Sequence, residues 1–231
     1  MTELGVRDKL PLPAPETHRN SPTRAAAYVR QLILDGVLRP GARVPQDEVA
    51  AALGVSRNPV REGLIMLDRE GWVTMEPNRG AFVNTSDAAS ILDHFELCAF
   101  VHALALRRAM QEGRTDVIER LDAIEHAFAA TSDPVEAHRL AIKFSSVVIA
   151  AGSPAAFRAN SNLHPWNFFE YLPSAIAIEK EGQAAIIRAA KHRDADAVAV
   201  AYAEMMRKIA ECVIELYRER GLFGDSEVYA A

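Results

Sequence analysis

The run from Gln46 to Glu62 restricts the fold of this chain more than any other segment. It places the small residue Ala50 at its fifth position, Gly54 at its ninth and the β-branched Val60 at its fifteenth. Two short helices that cross at a steep angle need a small residue where they approach, and a turn residue that tolerates the left-handed conformation. The spacing therefore predicts a helix-turn-helix with Gly54 in the turn.

The second helix of this pair is predicted to begin at Ser56, whose side-chain oxygen can cap a free backbone amide. Pro59 then falls in the first turn, where the amide that proline lacks would have no helical partner. Arg57 and Arg61 lie four residues apart and therefore share one face of the helix. Guanidinium groups at the exposed start of a helix can bind guanine in the major groove or clamp a phosphate. This helix is therefore predicted to read DNA.

Residues 71–83 contain two short β-type runs on either side of a Pro-Asn-Arg-Gly turn at 77–80. Apolar and β-branched residues that flank such a turn are typical of a hairpin. We therefore predict a two-stranded wing behind the helix-turn-helix. Arg79 at its tip can reach a neighbouring minor groove or a phosphate.

Helical spacing of apolar residues accounts for the rest of the chain. Residues 23–34 show it ahead of the helix-turn-helix, and Ser21 or Thr23 is expected to cap that first helix. Beyond a linker at 84–87 the sequence contains no strand pattern. There we predict helices over residues 87–112, 115–130, 134–151, 154–163, 166–180, 183–192 and 194–220, with Gly182 as one of the breaks.

The predicted fold class is mainly α: an N-terminal winged helix-turn-helix with a two-stranded wing, followed by an antiparallel, all-helical bundle. The expected domains are a disordered leader (1–20), a winged-helix DNA-binding domain (21–84), a helical effector-binding and dimerisation domain (85–222) and a tail (223–231). A dimer is expected because one winged helix reads only a short half-site, and two linked readers multiply the affinity.

Composition and charge are those of an ordinary globular protein, with 49% hydrophobic and 25% charged residues. The start of the chain lacks the apolar core of a signal peptide and no run approaches a membrane span, so we expect a cytoplasmic protein without a membrane partner. Residues 1–85 hold eleven basic and ten acidic side chains, while the remainder holds fifteen and twenty-one. Because the DNA-binding half is only weakly basic, binding should depend on base contacts and dimerisation more than on bulk charge.

The motifs together resemble a known family. The stretches Leu38–Val44, Arg79–Val83 and Leu53-Gly54-Val55-Ser56-Arg57-Asn58-Pro59-Val60-Arg61-Glu62 resemble the winged-helix domain of the GntR family of bacterial transcription regulators. With its helical region, the chain resembles the FadR-like (FCD) subfamily over nearly its whole length. The resemblance implies that Arg57 and Arg61 read the operator and that the wing tip at Gly80 enters the minor groove. The expected DNA-binding residues are Ser56, Arg57, Asn58, Arg61, Arg79 and Gly80.

The same resemblance identifies an effector pocket in which the usual ligands are replaced. Many FCD regulators bind a metal through one Asp and three His, and meet a carboxylate effector with an arginine. The four ligand positions here hold Ala141, Ser145, Gln183 and Met205, and the arginine position holds Cys98. Ala and Met cannot bind a hard or borderline divalent ion, and Ser or Gln alone binds it weakly. We therefore expect no metal and no other cofactor, and a drier pocket suited to an apolar or amphipathic ligand.

Two histidines extend this candidate pocket. His102 lies one turn beyond Cys98, and His138 lies on the face of Ala141 and Ser145. Each can polarise an oxygen of an effector or contribute to a different metal site, and the alternative is a hydrogen-bonded structural role. The expected effector-binding residues are Cys98, His102, His138, Ala141, Ser145, Gln183 and Met205.

An aromatic cluster follows in the sequence, made of Phe157, Trp166, Phe168, Phe169 and Tyr171. Core packing is the default for such a cluster. A pocket lid or a dimer face is the functional alternative.

These patterns predict a homodimeric transcription regulator, acting as a repressor, that binds a double-stranded DNA operator and is controlled by a small metabolite. A DNA-binding regulator or architectural protein without an effector, or an empty structural bundle, is the alternative. An enzyme is not expected, because the sequence offers no nucleophile with a nearby base, no phosphate loop and no paired acids.

Overall fold

The computed structural model of the protein describes residues 20–162 and 173–223, and they form two compact units. The first unit contains residues 20–86 together with 218–223, and the second contains residues 87–217. The chain therefore passes between the units twice, once after residue 86 and once after residue 217. The sequence had placed residues up to 222 in the helical domain, so the end of the last helix is grouped differently from that expectation.

Helix α1 (Ser21–Leu34) begins where Asn20 caps it, because the Asn20 side chain accepts a hydrogen bond of 3.0 Å from the Thr23 amide. The expected caps, Ser21 and Thr23, are wrong, since both lie inside the helix. Residues 1–19 of the predicted leader lie outside the described residues.

Helices α2 (Gln46–Leu53) and α3 (Arg57–Arg69) form the predicted helix-turn-helix. Gly54 ends α2 in the left-handed conformation, with φ of 65°. A residue with a side chain would be strained in this conformation. Val60 and Leu64 of α3 are almost completely buried, and α3 packs against α1. One face of α3 is therefore fixed in the core of the unit, which leaves its opposite face to solvent.

Strands β1 (Val73–Glu76) and β2 (Gly80–Val83) pair antiparallel, so the two-stranded wing is confirmed. Their register aligns Val73 with Val83 and Glu76 with Gly80. An isolated bridge joins Arg43 to Phe82 at the outer edge of β2. The wing is thereby tied to the segment that leads into α2.

The end of the chain contributes to the first unit. Arg220 donates a hydrogen bond of 3.2 Å to the carbonyl of Leu34 and lies 3.6 Å from the Asp35 carboxylate. Leu222 is buried, and Phe223 forms a parallel bridge with Ser86. Phe223, which was expected to begin a tail, is therefore paired within this unit, and residues 224–231 lie outside the description.

The described part of the second unit is helical throughout, as predicted. Its large, fully buried side chains include Leu106, Phe128, Phe144, Ile186 and Tyr202, one from each of five helices. The helices are α4 (Ala88–Gln111), α5 (Thr115–Ala130), α6 (Pro134–Ala151), α7 (Pro154–Asn162), α8 (Pro173–Lys191) and α9 (Ala195–Arg220).

The predicted break at Gly182 is wrong, because α8 runs through this position without interruption. Gly182 serves a close approach instead: a Cβ atom there would lie 2.4 Å from Cγ and Sδ of Met205 on α9. Glycine is the residue that allows such contact at modest cost to the helix. The aromatic residues Trp166 to Tyr171 lie outside the described residues.

Helix α4 is long and apolar enough to cross a membrane by length and composition, with a mean hydropathy of 1.4 over its most apolar window. This corrects the expectation that no run approaches a span. Part of the helix is buried, however, and it packs against α6 and α7. Its other side exposes Leu97 and Phe100.

The contact between α1 and α3 generates a stability prediction. A Cβ atom on Gly63 would lie 2.7 Å from the carbonyl oxygen of Pro22 and 2.9 Å from the Ala26 amide nitrogen, both backbone atoms. Gly63→Ala should therefore destabilise the first unit by roughly 1–3 kcal/mol through overpacking. Glycine to alanine in an unconstrained helix should instead stabilise by up to about 1 kcal/mol, so the sign is diagnostic.

Differential scanning calorimetry of Gly63→Ala measures this effect, with Glu62→Ala as the control on the adjacent, exposed position. We expect a lowered midpoint only for the glycine variant. An unchanged or raised midpoint would contradict the close approach of α1 and α3.

Candidate nucleic-acid interface and buried polar cluster

The start of α3 presents four of the expected DNA-binding residues to solvent: Ser56, Arg57, Asn58 and Arg61. Ser56 precedes the helix in an extended conformation, as an N-cap residue should. Its side chain makes no capping hydrogen bond, which corrects the role that the sequence suggested. The hydroxyl is therefore not committed to the helix end.

Arg57 is held by a neighbour across the turn. Its Nη2 donates a hydrogen bond of 2.5 Å to Oδ2 of Asp47, in the first turn of α2. Both side chains are largely exposed. Such surface pairs contribute only about 0–1 kcal/mol, so Arg57 can exchange Asp47 for a phosphate or a base at little cost. Arg61, one turn further along, is exposed on the same face.

The wing tip combines a cation with a tight turn. Arg79 is exposed, forms an ion pair with Glu76, and holds its guanidinium carbon 5.2 Å from the centre of the Phe82 ring. Gly80 has φ of 104°, a conformation that residues with side chains rarely adopt. A Cβ atom at Gly80 would also lie 3.2 Å from Nε of Arg43. The backbone at the tip is therefore bare, with Arg79 beside it.

The second unit contains a buried polar cluster, which we define as His102, Asn160, Glu179, Gln183 and Tyr202. Gln183 donates to Oε1 of Glu179 at 3.4 Å along α8, and both side chains are buried. His102 of α4 has Nε2 3.0 Å from Oδ1 of Asn160 on α7. The His102 ring meets Tyr202 of α9 edge-on, with the ring centres 5.7 Å apart. Four helices thus each supply polar groups to the interior.

Burial governs the protonation of this cluster. It raises the pKa of Glu179 to about 8, against the hydrogen bond from Gln183, which lowers it. Burial and then the charge of Glu179 raise the pKa of Tyr202. Burial lowers the pKa of His102, and the hydrogen bond to Asn160 opposes that shift. At neutral pH His102 and Tyr202 are therefore uncharged and Glu179 is mostly protonated.

Of the seven residues expected to bind an effector, the structure brings His102 and Gln183 into this cluster. Ala141 is buried on α6, where His138 and Ser145 are half-buried. Cys98 lies apart from the cluster's contacts, with Sγ 3.6 Å from Nε2 of His94, and burial raises its pKa to about 12. Met205 packs over Gly182 and lines an open groove of about 760 Å³ between α8 and α9. The roles of these residues remain predictions.

Sequence reasoning missed Glu179, Tyr202 and Asn160. Glu179 carried a usable signal, because it lies one turn before Gln183 on the apolar face of a helix, where an unpaired carboxylate is uncommon. Tyr202 is buried in α9 at a position where a tyrosine is more often a core residue than a ligand-binding one. Asn160 carried no signal, since nothing in the sequence of α7 distinguishes it.

The residues at the family's metal positions do not fit a metal ion. Ala141 offers no ligand atom, Met205 is packed against Gly182, and the Gln183 amide oxygen alone is a weak ligand. Elsewhere in the described part of the chain, Asp122, Glu125 and His126 have ligand-type atoms within 4.8 Å of one another on α5. Lys191 already pairs with Asp122 at 2.6 Å, so this group is a surface ion-pair network and we assign it no metal.

Comparison with known proteins agrees with the geometry of the first unit. Residues 22–83 match the profile of the bacterial regulatory proteins of the gntR family. A helix-turn-helix transcriptional regulator of Mycobacterium tuberculosis is 29% identical over 86% of this chain and 84% of its own. The Nta operon transcriptional regulator of Aminobacter aminovorans is 44% identical over 32% of this chain and 35% of its own.

Two solved structures share the fold. One is the structure of Lar, which controls the expression of the Listeria monocytogenes agr system. Its TM-score is 0.62 at 19% identity, and the match covers 88% of this chain and 99% of that one. A GntR family member from Pseudomonas syringae has a TM-score of 0.51 at 20% identity and covers 87% of each chain. These two proteins therefore share with this chain the winged helix-turn-helix followed by a helical region.

The cluster generates a pH prediction. Because the folded-state pKa of Glu179 lies above its ordinary value of 4.5, the folded protein binds more protons than the unfolded one between pH 4.5 and about 8. Stability should therefore fall as pH rises through this window. Glu179→Gln removes that titration. The free energy of unfolding of the variant, relative to that of the natural protein, should therefore rise by up to about 1.4 kcal/mol for each pH unit in the window.

Urea unfolding of the second unit's transition at pH 5, 6.5 and 8 measures the gain. Glu181→Gln, which alters an exposed carboxylate on the same helix, is the matched control and should show a constant difference. His102 is present in both proteins of each comparison, so its titration cancels from the difference in free energy of unfolding. A pH-independent difference for Glu179→Gln would contradict the raised pKa of the buried Glu179 carboxyl.

Proposed function

We propose, from the premise that residues 22–83 form a GntR-family DNA-binding domain, that this protein is a dimeric repressor whose operator affinity is set by a small effector in the second unit. The observation that carries the DNA-binding part is the pair Arg57 and Arg61, exposed one turn apart at the free end of a helix whose other face is buried. The protein acts in the bacterial cytoplasm, and we propose no catalytic activity.

In the proposed complex, the start of α3 lies in the major groove. Arg57 leaves Asp47 and, with Arg61, makes bidentate contacts to guanine or to phosphate. The uncommitted hydroxyl of Ser56 and the amide of Asn58 supply hydrogen bonds beside them. At the wing, the bare backbone of Gly80 allows close approach to the minor groove, and Arg79 adds a cation there.

The effector part of the proposal rests on the buried polar cluster and on the FCD-like resemblance of the helical region. Oε2 of Glu179, Oε1 of Gln183 and the Tyr202 hydroxyl have no hydrogen-bond partner among the described residues. Leaving such a buried group unsatisfied costs about 1–3 kcal/mol. A ligand that satisfies several of them at once gains that energy, which favours a binding site over a purely structural core.

Regulation then requires that the effector bind two arrangements of the dimer with different affinity. Helix α9 provides Tyr202 to the second unit, while its last turn, with Arg220, belongs to the first. We propose that movement of this helix on effector binding changes how the two DNA-binding units are presented. The polar character of the cluster replaces the dry, apolar pocket that the sequence suggested.

The exposed side of α4 supports a dimer of two copies of this chain. Phe100 is 67% and Leu97 53% exposed, which is unusual for side chains of their size. Asp93 and Arg107, both exposed, lie seven residues before and after Phe100, about 10 Å along the helix in each direction. When two copies of α4 pack antiparallel about a two-fold axis at Phe100, each Asp93 faces the other copy's Arg107. The surface is therefore complementary to itself.

This surface generates a prediction about assembly. The double variant Leu97→Ser/Phe100→Ser should be monomeric in sedimentation velocity at concentrations where the natural protein is dimeric, because the apolar centre of the interface is lost. Its operator affinity should also fall at least tenfold, since the two readers are no longer linked. Val135→Ser, which removes a side chain that is 77% exposed on α6, is the control. Persistence of the dimer in the double variant would contradict the α4 interface.

The DNA contacts generate a second prediction. Arg57→Ala and Arg61→Ala should each weaken operator binding roughly 5- to 150-fold, as expected for the loss of about 1–3 kcal/mol of base recognition, without changing the fold. Arg69→Ala removes the same charge from the exposed far end of α3 and should leave the preference for operator over random DNA intact. Fluorescence anisotropy with operator and random duplexes gives both affinities. Equal effects of the three substitutions would argue against the assigned docking of α3.

A further inference from the structure

The buried polar cluster contains four polar side-chain atoms that lack a hydrogen-bond partner. Oε2 of Glu179, Oε1 of Gln183, the Tyr202 hydroxyl and Nδ1 of His102 lack a hydrogen-bond partner within the described part of the chain. Their residues are 5%, 1%, 1% and 6% exposed, respectively. The two side-chain oxygens of Glu179 and Gln183 can accept hydrogen bonds, and the hydroxyl and the imidazole nitrogen can each accept one as well. All four atoms can therefore accept hydrogen bonds from a ligand when Glu179 is ionised.

Glu179 also lacks a cation. None of the ion pairs formed by the described residues involves Glu179. The adjacent Lys180 donates a hydrogen bond of 2.6 Å from its ammonium group to the carbonyl of Thr131. A buried carboxylate without a counter-ion is costly, because desolvation penalises the charged form. Glu179 can therefore ionise and become the counter-ion of a ligand that brings a positive charge of its own.

We propose that the buried polar cluster binds a small ligand bearing an ammonium group, with the Glu179 carboxylate as its counter-ion and the Gln183 and Tyr202 oxygens as further acceptors. This rests on the effector site proposed above and specifies its chemistry. Neutral His102 does not repel the ligand.

Two other ligand classes fit the same atoms poorly. A carboxylate ligand could accept hydrogen bonds from protonated Glu179 and from the Tyr202 hydroxyl, but the cluster contains no Arg or Lys to neutralise its charge. A metal ion would need three or four ligand groups, whereas Glu179 and His102 are the only strong ligands in the cluster. The replacement of the family's usual pocket residues thus changes the preferred charge of the ligand.

Binding should be accompanied by loss of a proton. In the empty cluster Glu179 carries a proton at neutral pH, since burial raises its pKa to about 8. An ammonium group beside it favours the carboxylate, so the proton passes to the buffer as the ligand enters. Calorimetry in buffers with different ionisation enthalpies counts protons released for each ligand bound.

The test uses the full-length protein and three probes of equal length: n-butylammonium chloride, sodium n-butyrate and n-butanol, at matched ionic strength. We expect n-butylammonium to raise the unfolding midpoint and to bind with proton release at pH 7, with at least tenfold preference over the other two. Glu179→Gln should reduce its affinity at least tenfold, Tyr202→Phe should reduce it severalfold, and Glu181→Gln should leave it unchanged. Circular dichroism establishes that each variant is folded.

Butyrate or butanol binding as tightly as the amine, an unchanged affinity in Glu179→Gln, or no saturable binding of the amine would overturn the ammonium proposal. Operator affinity, measured separately with each probe, tests the regulatory proposal. Butyrate that binds and alters operator affinity would preserve the regulator and reject the ammonium ligand. Amine that binds without altering operator affinity would preserve the ligand class and reject its role as effector.

Discussion

The contact between α1 and α3 determines what the first unit can present. Gly63 lets α3 lie against the backbone at Pro22 and Ala26, and Val60 and Leu64 are buried beside it. A helix fixed so closely on one face cannot rotate without losing that packing. Arg57 and Arg61 therefore point away from the unit's core because of apolar contacts on the other side of the helix. The exposure of these two arginines therefore depends on packing on the opposite side of the helix.

Much of this unit could be predicted from the sequence, because its signals are local. The left-handed turn at Gly54 and the wing around residues 77–80 each follow from residues next to one another in the chain. Capping was harder: Asn20, outside the expected helix, caps α1, and Ser56 stands at the right position without making the bond. Several residues near a helix start can cap it, and the choice depends on conformation that the sequence does not specify.

The second unit was less predictable, because its decisive features are contacts between distant residues. A glycine is typical of a helix break, yet α8 continues through Gly182. The close packing of Met205 against this position outweighs the local preference of glycine. Glu179 and Tyr202 belong to different helices and become neighbours only in the folded bundle. The resemblance to FCD regulators located two members of the cluster, His102 and Gln183. The resemblance gave no indication of Glu179, whose carboxyl makes the cluster polar where an apolar pocket was expected.

A buried carboxyl in an otherwise apolar bundle has consequences for how the protein responds to a ligand. In the empty state the cluster holds unsatisfied acceptors and a protonated Glu179, so the second unit is less stable than an apolar packing of the same volume would be. In the proposed complex, a bound donor would remove that deficit, and the stabilisation would fall on α8 and α9, which carry Glu179 and Tyr202. The proposal assigns the regulatory step to α9, because α9 carries Tyr202 in the second unit while its last turn belongs to the first. Under that proposal, the unsatisfied polar groups in the core are the source of the difference in energy between empty and occupied states that a regulator needs.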